Sequence, residues 1–104
     1  MGIRRACSYI VRIKTPIPPE SYSSKLVTIQ QKKRNLVSKK DAQLTIEDNR
    51  VVMKLTQAET QPFEAGVIAY LQFRGYIDEY NAPGSKCWPV EVWPALDDQI
   101  LGGE

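Results

Sequence analysis

The sequence predicts an all-β chain folded as a two-sheet antiparallel sandwich, and three observations predict it. Short runs of alternating apolar and polar residues recur, as where Val51, Met53 and Leu55 are set against Val52 and Lys54. Turn-forming residues separate these runs; the chain holds seven prolines and six glycines. No stretch sustains the periodicity of a long helix. A chain of 104 residues, 42% apolar and 25% charged, supports one globular domain with its own core.

The elements follow in order. Val11, Ile13, Thr15 and Ile17 share one face of an extended N-terminal segment, with Arg12 and Lys14 opposite. Pro16, Pro18 and Pro19 end regular pairing and place this strand at an edge or a bend. Ser21 to Ser24 is turn-like, and Leu26 to Gln30 is a second strand with Val27 and Ile29 facing one way. QKKR, residues 31–34, is a basic turn; it lacks the interleaved aromatics of a nucleic-acid surface, so no nucleic-acid partner is expected. Asn35 to Ser38 is a third strand. Leu44 to Ile46 and Val51 to Leu55 are strands joined by EDNR, where Asn49 tolerates the left-handed conformation.

LTQAETQPF, residues 55–63, is too long for a tight hairpin. Thr56 and Glu59 have the spacing of a capping box, in which each side chain satisfies the other's backbone N–H. Pro62 stops the helix almost at once, leaving one helical turn over residues 56–61. A strand, one capped turn and another strand make the crossing between two sheets, with Phe63 plugging the end of the core. Gly66 to Phe73 is the strongest strand signal, with Val67, Ala69, Leu71 and Phe73 inward. Ile68 and Tyr70 on its other face predict that this face is partly covered too. A loop over residues 75–86 leads to a last strand from Cys87 to Val92, where Pro89 predicts an edge. Residues 95–104 form a tail that carries Leu96, Ile100 and Leu101 outside any strand pattern. About seven short strands separated by turn signals point to an immunoglobulin-like sandwich over residues 1–104. The Cys-Trp-Cys spacing of antibody domains is absent.

Charge and cysteine usage narrow the chemistry. Residues 1–40 hold ten Lys and Arg against one acid, Glu20, while residues 41–104 hold four bases against eleven acids. If the halves occupy different faces, the surface is dipolar and favours a partner of opposite sign; if strands from both halves interleave, the asymmetry cancels. Cys7 and Cys87 are either reduced thiols or a candidate bridge from first strand to last. With no histidine and two cysteines there is no zinc set. No metal and no cofactor are expected. Glu47–Asp48, Asp78–Glu79 and Asp97–Asp98 are adjacent pairs, and neighbours on a strand point to opposite faces, so they do not converge on a substrate. An enzyme is not expected, because no base accompanies the Ser, Cys or Lys nucleophiles. Arg12 and Lys14 interrupt any apolar run of signal-peptide length, and no run approaches the ~20 residues of a membrane span. Neither secretion by a signal peptide nor a membrane partner is expected.

Arg4 and Arg5, Pro16, the Leu55–Thr60 crossover and the Leu96–Leu101 terminus occur here in an order and spacing that resembles a family of short proteins from phages and prophages of Firmicutes. That family is similar to the immunoglobulin-like N-terminal domain of phage baseplate upper proteins. The resemblance implies a small structural or assembly part of a virion, in its tail or baseplate, located in the particle or in the host cytoplasm before assembly. Its partners would be other phage structural proteins, or further copies closing into a ring. The candidate contact residues are Tyr76, Tyr80, Trp88 and Trp93, since Trp, Tyr and Arg anchor interfaces, together with Ile100 and Leu101. Arg4 and Arg5 at one end and Asp97 and Asp98 at the other are candidate complementary charges. Closing one end of the sandwich is an equally direct use of the four aromatics. Two alternatives stand beside this reading: a module stacking those aromatics on a host-surface carbohydrate, and a regulator that blocks a host protein by strand addition.

Overall fold

A computed structural model describes residues 2–85 and 87–96. It is an immunoglobulin-like sandwich of two sheets. Its strands are β1 (Gly2–Arg4), β2 (Tyr9–Ile13), β3 (Ser24–Gln31), β4 (Arg34–Lys40), β5 (Thr45–Glu47), β6 (Arg50–Leu55), β7 (Ala69–Tyr76) and β8 (Trp88–Trp93). One four-residue helical turn, α1 (Gln57–Thr60), lies between β6 and β7. The larger sheet has the order β1-β8-β7-β3-β4 and the smaller β2-β6-β5. β1 runs parallel to β8; the remaining strand pairs are antiparallel.

The crossing predicted over residues 55–63 is present, since β6 belongs to the smaller sheet and β7 to the larger. The inward faces meet in an aliphatic core in which Val11 and Ile13 of β2 and Val51, Met53 and Leu55 of β6 join Val27, Ile29, Leu71, Phe73, Val90 and Val92 of the larger sheet. Phe63 closes one end and is the largest of the fully buried side chains. At the other end the Tyr22 ring meets Phe73 edge-on, with centroids 5.4 Å apart.

Both short hairpins turn on paired left-handed residues. Lys32 and Lys33 (φ 53° and 62°) close the Gln31–Arg34 pair, and Asp48 and Asn49 (φ 50° and 61°) close Glu47–Arg50. Those are the backbone signs of a two-residue hairpin that keeps the strand twist. A bulge in β4 makes Leu36 the extra residue opposite the Ile29–Gln30 step, and Leu36 packs partly onto the core.

Several sequence expectations need correction. β1 is a strand that the pattern of alternation does not reveal. Thr15 and Ile17 are not in a strand, because β2 ends at Ile13 and the prolines lead into a short 3-10 turn, Pro19–Ser21. β8 is not an edge strand. It pairs with β7 over Trp88–Val90 and with β1 over Glu91–Trp93, so Pro89 falls where only one side is paired. Val52 is buried although it shares a face with Lys54; β6 is central in its sheet, and Thr45 and Arg12 flank Val52. Ile68 and Tyr70 are each about half-exposed, so their face is partly covered by its own neighbours but is not buried beneath a further layer of the described residues. The charged halves interleave within both sheets and do not define two faces. Among the described residues, the ion pairs Lys32–Glu64 (2.6 Å) and Lys39–Glu59 (2.8 Å) each join a base of the first half to an acid of the second.

Cys7 and Cys87 are both free and exposed, which sets aside the candidate bridge. The parallel register gives the reason. Arg4 lies opposite Trp93, so Cys7 falls beyond the C-terminal end of β8, whereas Cys87 lies just before its first residue, Trp88. The length of β8, roughly 20 Å at ~3.3 Å per residue, separates them, and a disulfide needs Cα atoms within about 7 Å.

Gly75 gives one direct test of the packing. A Cβ there would come within 2.3 Å of the Tyr22 ring. Gly75→Ala is expected to destabilise the domain by about 1–3 kcal/mol through overpacking, read as a lower urea midpoint with an unchanged slope.

Candidate contact surface

Alternation decides what the larger sheet shows to solvent. Along β7, Ala69, Leu71, Phe73 and Gly75 are buried, and Tyr70, Arg74 and Tyr76 are exposed. Along β8, Val90 and Val92 are buried, and Pro89, Glu91 and Trp93 are exposed. Ile68 precedes β7 in phase with Tyr70. Tyr70 pairs with Pro89, and Ile68 and Trp93 line one shallow depression of about 280 Å³ with Gly66 and Glu91. Ile68 (43% exposed), Tyr70 (50%) and Trp93 (43%) therefore share the outer face as a largely apolar strip, with the exposed Glu91 beside Ile68 and Trp93.

One end of this strip is fixed in place. Arg4 lies opposite Trp93 in the β1–β8 register, and its guanidinium carbon stands 5.7 Å from the ring centroid. The same guanidinium donates to the Pro94 carbonyl at 2.6 Å. At an exposed site such a cation–π contact contributes about 0.5–1 kcal/mol. Trp93 also reaches across β1. A Cβ on Gly2 would come within 2.4 Å of the ring, so glycine is what lets the indole lie flat there. Arg5 does not join the surface; its guanidinium donates twice to the Gln61 carbonyl, at 3.0 and 3.3 Å, and ties β1's exit to the helical turn.

The four predicted aromatics do not form one site. Extending the β7–β8 register puts Trp93 at the level of Gly66, ten residues from Tyr76 along β7, a separation of about 33 Å. Tyr76 and Tyr80 stand at the far end, where Tyr80 caps a tight turn and is 89% exposed. In that turn the Asp78 carboxylate accepts from Asn81 Nδ2 and the Tyr80 N–H. These bonds, the Asn81 side chain first, hold its pKa below the ordinary value. Trp88 is half-buried against the core. No single sugar ring spans all four, so they are corrected from one stacking platform to separate features. Asp97, Asp98, Ile100 and Leu101 lie outside the described residues. Among the described residues no three acidic or cysteine side chains gather as a metal site.

The capping box is formed as expected. Thr56 Oγ1 accepts from the Glu59 N–H at 3.2 Å, and Glu59 Oε1 accepts from the Thr56 N–H at 2.9 Å. The structure adds what the sequence does not show, since Lys39 donates to Glu59 Oε1 at 3.0 Å and to the Lys54 carbonyl at 2.9 Å. Burial pushes the Glu59 carboxyl up, but the Lys39 and Thr56 hydrogen bonds and the Lys39 charge outweigh it and hold it low. A carboxylate with a depressed folded pKa adds stability above its unfolded value, about 4.3 for Glu. That stability is lost as pH falls through the folded value. Asp41, held low by the Lys25 N–H first, acts with the same sign. Stability should therefore decline below about pH 4.5, and Glu59→Gln should flatten the decline in acid denaturation curves. The chain has no histidine, so the same curves should be level between about pH 5.5 and 7.5.

No protein-family model matches the chain, and no curated protein matches it. Solved structures do. The chain is similar to the Ig-like domain of mouse leukocyte-associated immunoglobulin-like receptor 1, solved as a strand-swapped dimer. The TM-score is 0.50 at 10% identity, over 88% of this chain and 85% of that one. It is also similar to the V domain of amphioxus IgVJ-C2, with a TM-score of 0.40 at 9% identity, over 89% and 99% of the two chains. The likeness to the receptor domain, at 10% identity, shows the class of fold, an immunoglobulin-like sandwich, and nothing narrower. Among the described residues no helix is long and apolar enough to cross a membrane.

Proposed function

We propose that this chain is a non-enzymatic assembly protein that works by protein–protein contact, as a component of a phage or prophage tail or baseplate. The observation that carries the contact reading is the strip of Ile68, Tyr70 and Trp93. Large side chains held half-exposed on a rigid sheet, with an arginine stacked on the tryptophan, have the composition of an interface centre. The resemblance carried by Arg4, Arg5, Pro16, residues 55–60 and residues 96–101 supports the assignment to a particle. The carboxylates support a role other than turnover: Glu59 and Asp78 are engaged in holding turns, and Asp41 accepts from the Lys25 N–H of β3.

The test is incorporation. The chain, expressed during particle formation, should be recovered by mass spectrometry in gradient-purified particles. Ile68→Glu with Tyr70→Glu should keep the circular dichroism of the parent and lose more than about tenfold of that recovery, since a buried unpaired charge at an interface centre costs 2 kcal/mol or more. A chain found wholly outside the particles, or a double variant that incorporates normally, would refute the reading.

A further inference from the structure

Among the described residues the two sheets do not close along one side: β2 is an edge of its sheet, and the first half of β8 has no neighbour until β1 joins at Glu91. Between these unpaired edges runs a cleft of about 410 Å³, with Arg12, Ile13 and Lys14 on one wall and Leu71, Trp88 and Pro89 on the other. It continues past Lys14 and Trp88 into a second depression of about 310 Å³, which Phe73 also lines. The cleft thus combines three features: a free β2 backbone edge, an apolar wall of core side chains, and two cations at the rim. Neither Arg12 nor Lys14 forms an ion pair among the described residues.

Those features specify an occupant. A free strand edge takes an extended segment by main-chain pairing. The apolar wall takes branched aliphatic side chains, and the rim takes carboxylates. Residues 97–101 of this chain read Asp-Asp-Gln-Ile-Leu and carry all of that chemistry.

We infer that the cleft between β2 and β8 receives residues 97–101 of a second copy of this chain, with Arg12 and Lys14 pairing Asp97 and Asp98. A second copy fits better than the chain's own tail. The chain leaves β8 at Trp93, whereas the cleft opens beside Trp88 at the other end of the strand. The chain's own tail would have to reverse direction beyond Trp93 and run back ~17 Å along β8 to enter it. The contact is head-to-tail, so it propagates or closes into a ring. It deepens the assembly reading above and rests on it.

Charge exchange tests it in the full chain. Arg12→Asp with Lys14→Asp, and separately Asp97→Lys with Asp98→Lys, should each sediment as monomers at ~50 mM salt, where exposed charges interact over more than 10 Å. The parent chain should associate under those conditions. Mixing the two variants should restore association, because each tail then meets a cleft of opposite sign. A parent chain that is monomeric, variants that associate as well as the parent, or a mixture that stays monomeric would each overturn the inference. Matching melting temperatures guard against misfolding, and Ile100→Asp should abolish association while leaving the cleft unchanged. Failure here with normal dependence of incorporation on Ile68 and Tyr70 removes this contact only and leaves the proposed function standing.

Discussion

Phe63→Ala is expected to destabilise the domain by about 3–5 kcal/mol, the range for deleting a buried phenylalanine. Phe63 is 1% exposed and follows the capped turn directly, its N–H donating to the Thr60 carbonyl at 3.2 Å. Its ring fills the end of the core where the chain passes from one sheet to the other, and the polypeptide there is constrained on both sides. α1 is held by its capping box. Thr60 Oγ1 bonds both backbone groups of Cys7, accepting at 3.1 Å and donating at 2.8 Å. The crossing therefore has little freedom to collapse into the cavity, which places the cost toward the upper part of the range. Domains of this size have a total stability of about 5–15 kcal/mol, so the variant should be largely unfolded at moderate urea. A loss below about 1 kcal/mol in equilibrium denaturation would be an ordinary surface effect and would contradict the role given to Phe63.

Gln31→Leu is expected to cost a similar amount by a different route. Gln31 is a buried polar side chain, 4% exposed, with all of its main hydrogen-bonding capacity used on backbone. Its Nε2 donates to the carbonyls of Glu64 and Val67, both at 2.8 Å, and its Oε1 accepts from the Glu64 N–H at 2.7 Å. One side chain at the end of β3 thus satisfies three main-chain groups of the segment leading into β7. Leucine keeps the volume but leaves the Val67 carbonyl and the Glu64 N–H without their side-chain partner, and the Glu64 carbonyl with only the long bond from the Val67 N–H at 3.4 Å. At about 1–3 kcal/mol for each group that stays dry, a loss of 3–5 kcal/mol follows if water reaches part of the site. Gln31→Glu separates packing from hydrogen bonding, because the carboxylate can accept from Glu64 but cannot donate to the two carbonyls. It should be nearly as damaging as leucine. Protection of the Glu64 amide from hydrogen exchange should fall in the leucine variant before global unfolding.

Much of this architecture is legible in the residues. Val51, Met53 and Leu55 alternate cleanly because one face of β6 meets the core. Thr56 and Glu59 announce the helical turn because a capping box is a local interaction, complete within four residues. The features that were not legible depend on distant pairing. Three residues of β1 are too few to alternate, and Ile3 is buried only because β8 lies alongside. Gln31 reads as the start of a basic turn, since nothing near it in sequence signals Glu64 and Val67. Tyr76, Tyr80, Trp88 and Trp93 lie close in sequence, but an antiparallel register carries them to opposite ends of one sheet. Ile68 and Tyr70 were visible as apolar residues on the second face of a strand. That pattern shows that the face is not simply solvated; whether it is covered internally or presented to a partner depends on the layers around it. Here no third layer covers the larger sheet among the described residues, and the strip is half-exposed.

The most direct measurement places a photo-crosslinking amino acid at Tyr70 during particle assembly, with the same group at Thr45 on exposed β5 as the comparison. The account predicts strong crosslinks from position 70 to a protein of the particle and little from position 45. Equal labelling from both positions, or none from position 70 while the chain still enters particles, would show that the outer face of the larger sheet is not where this protein makes its contacts.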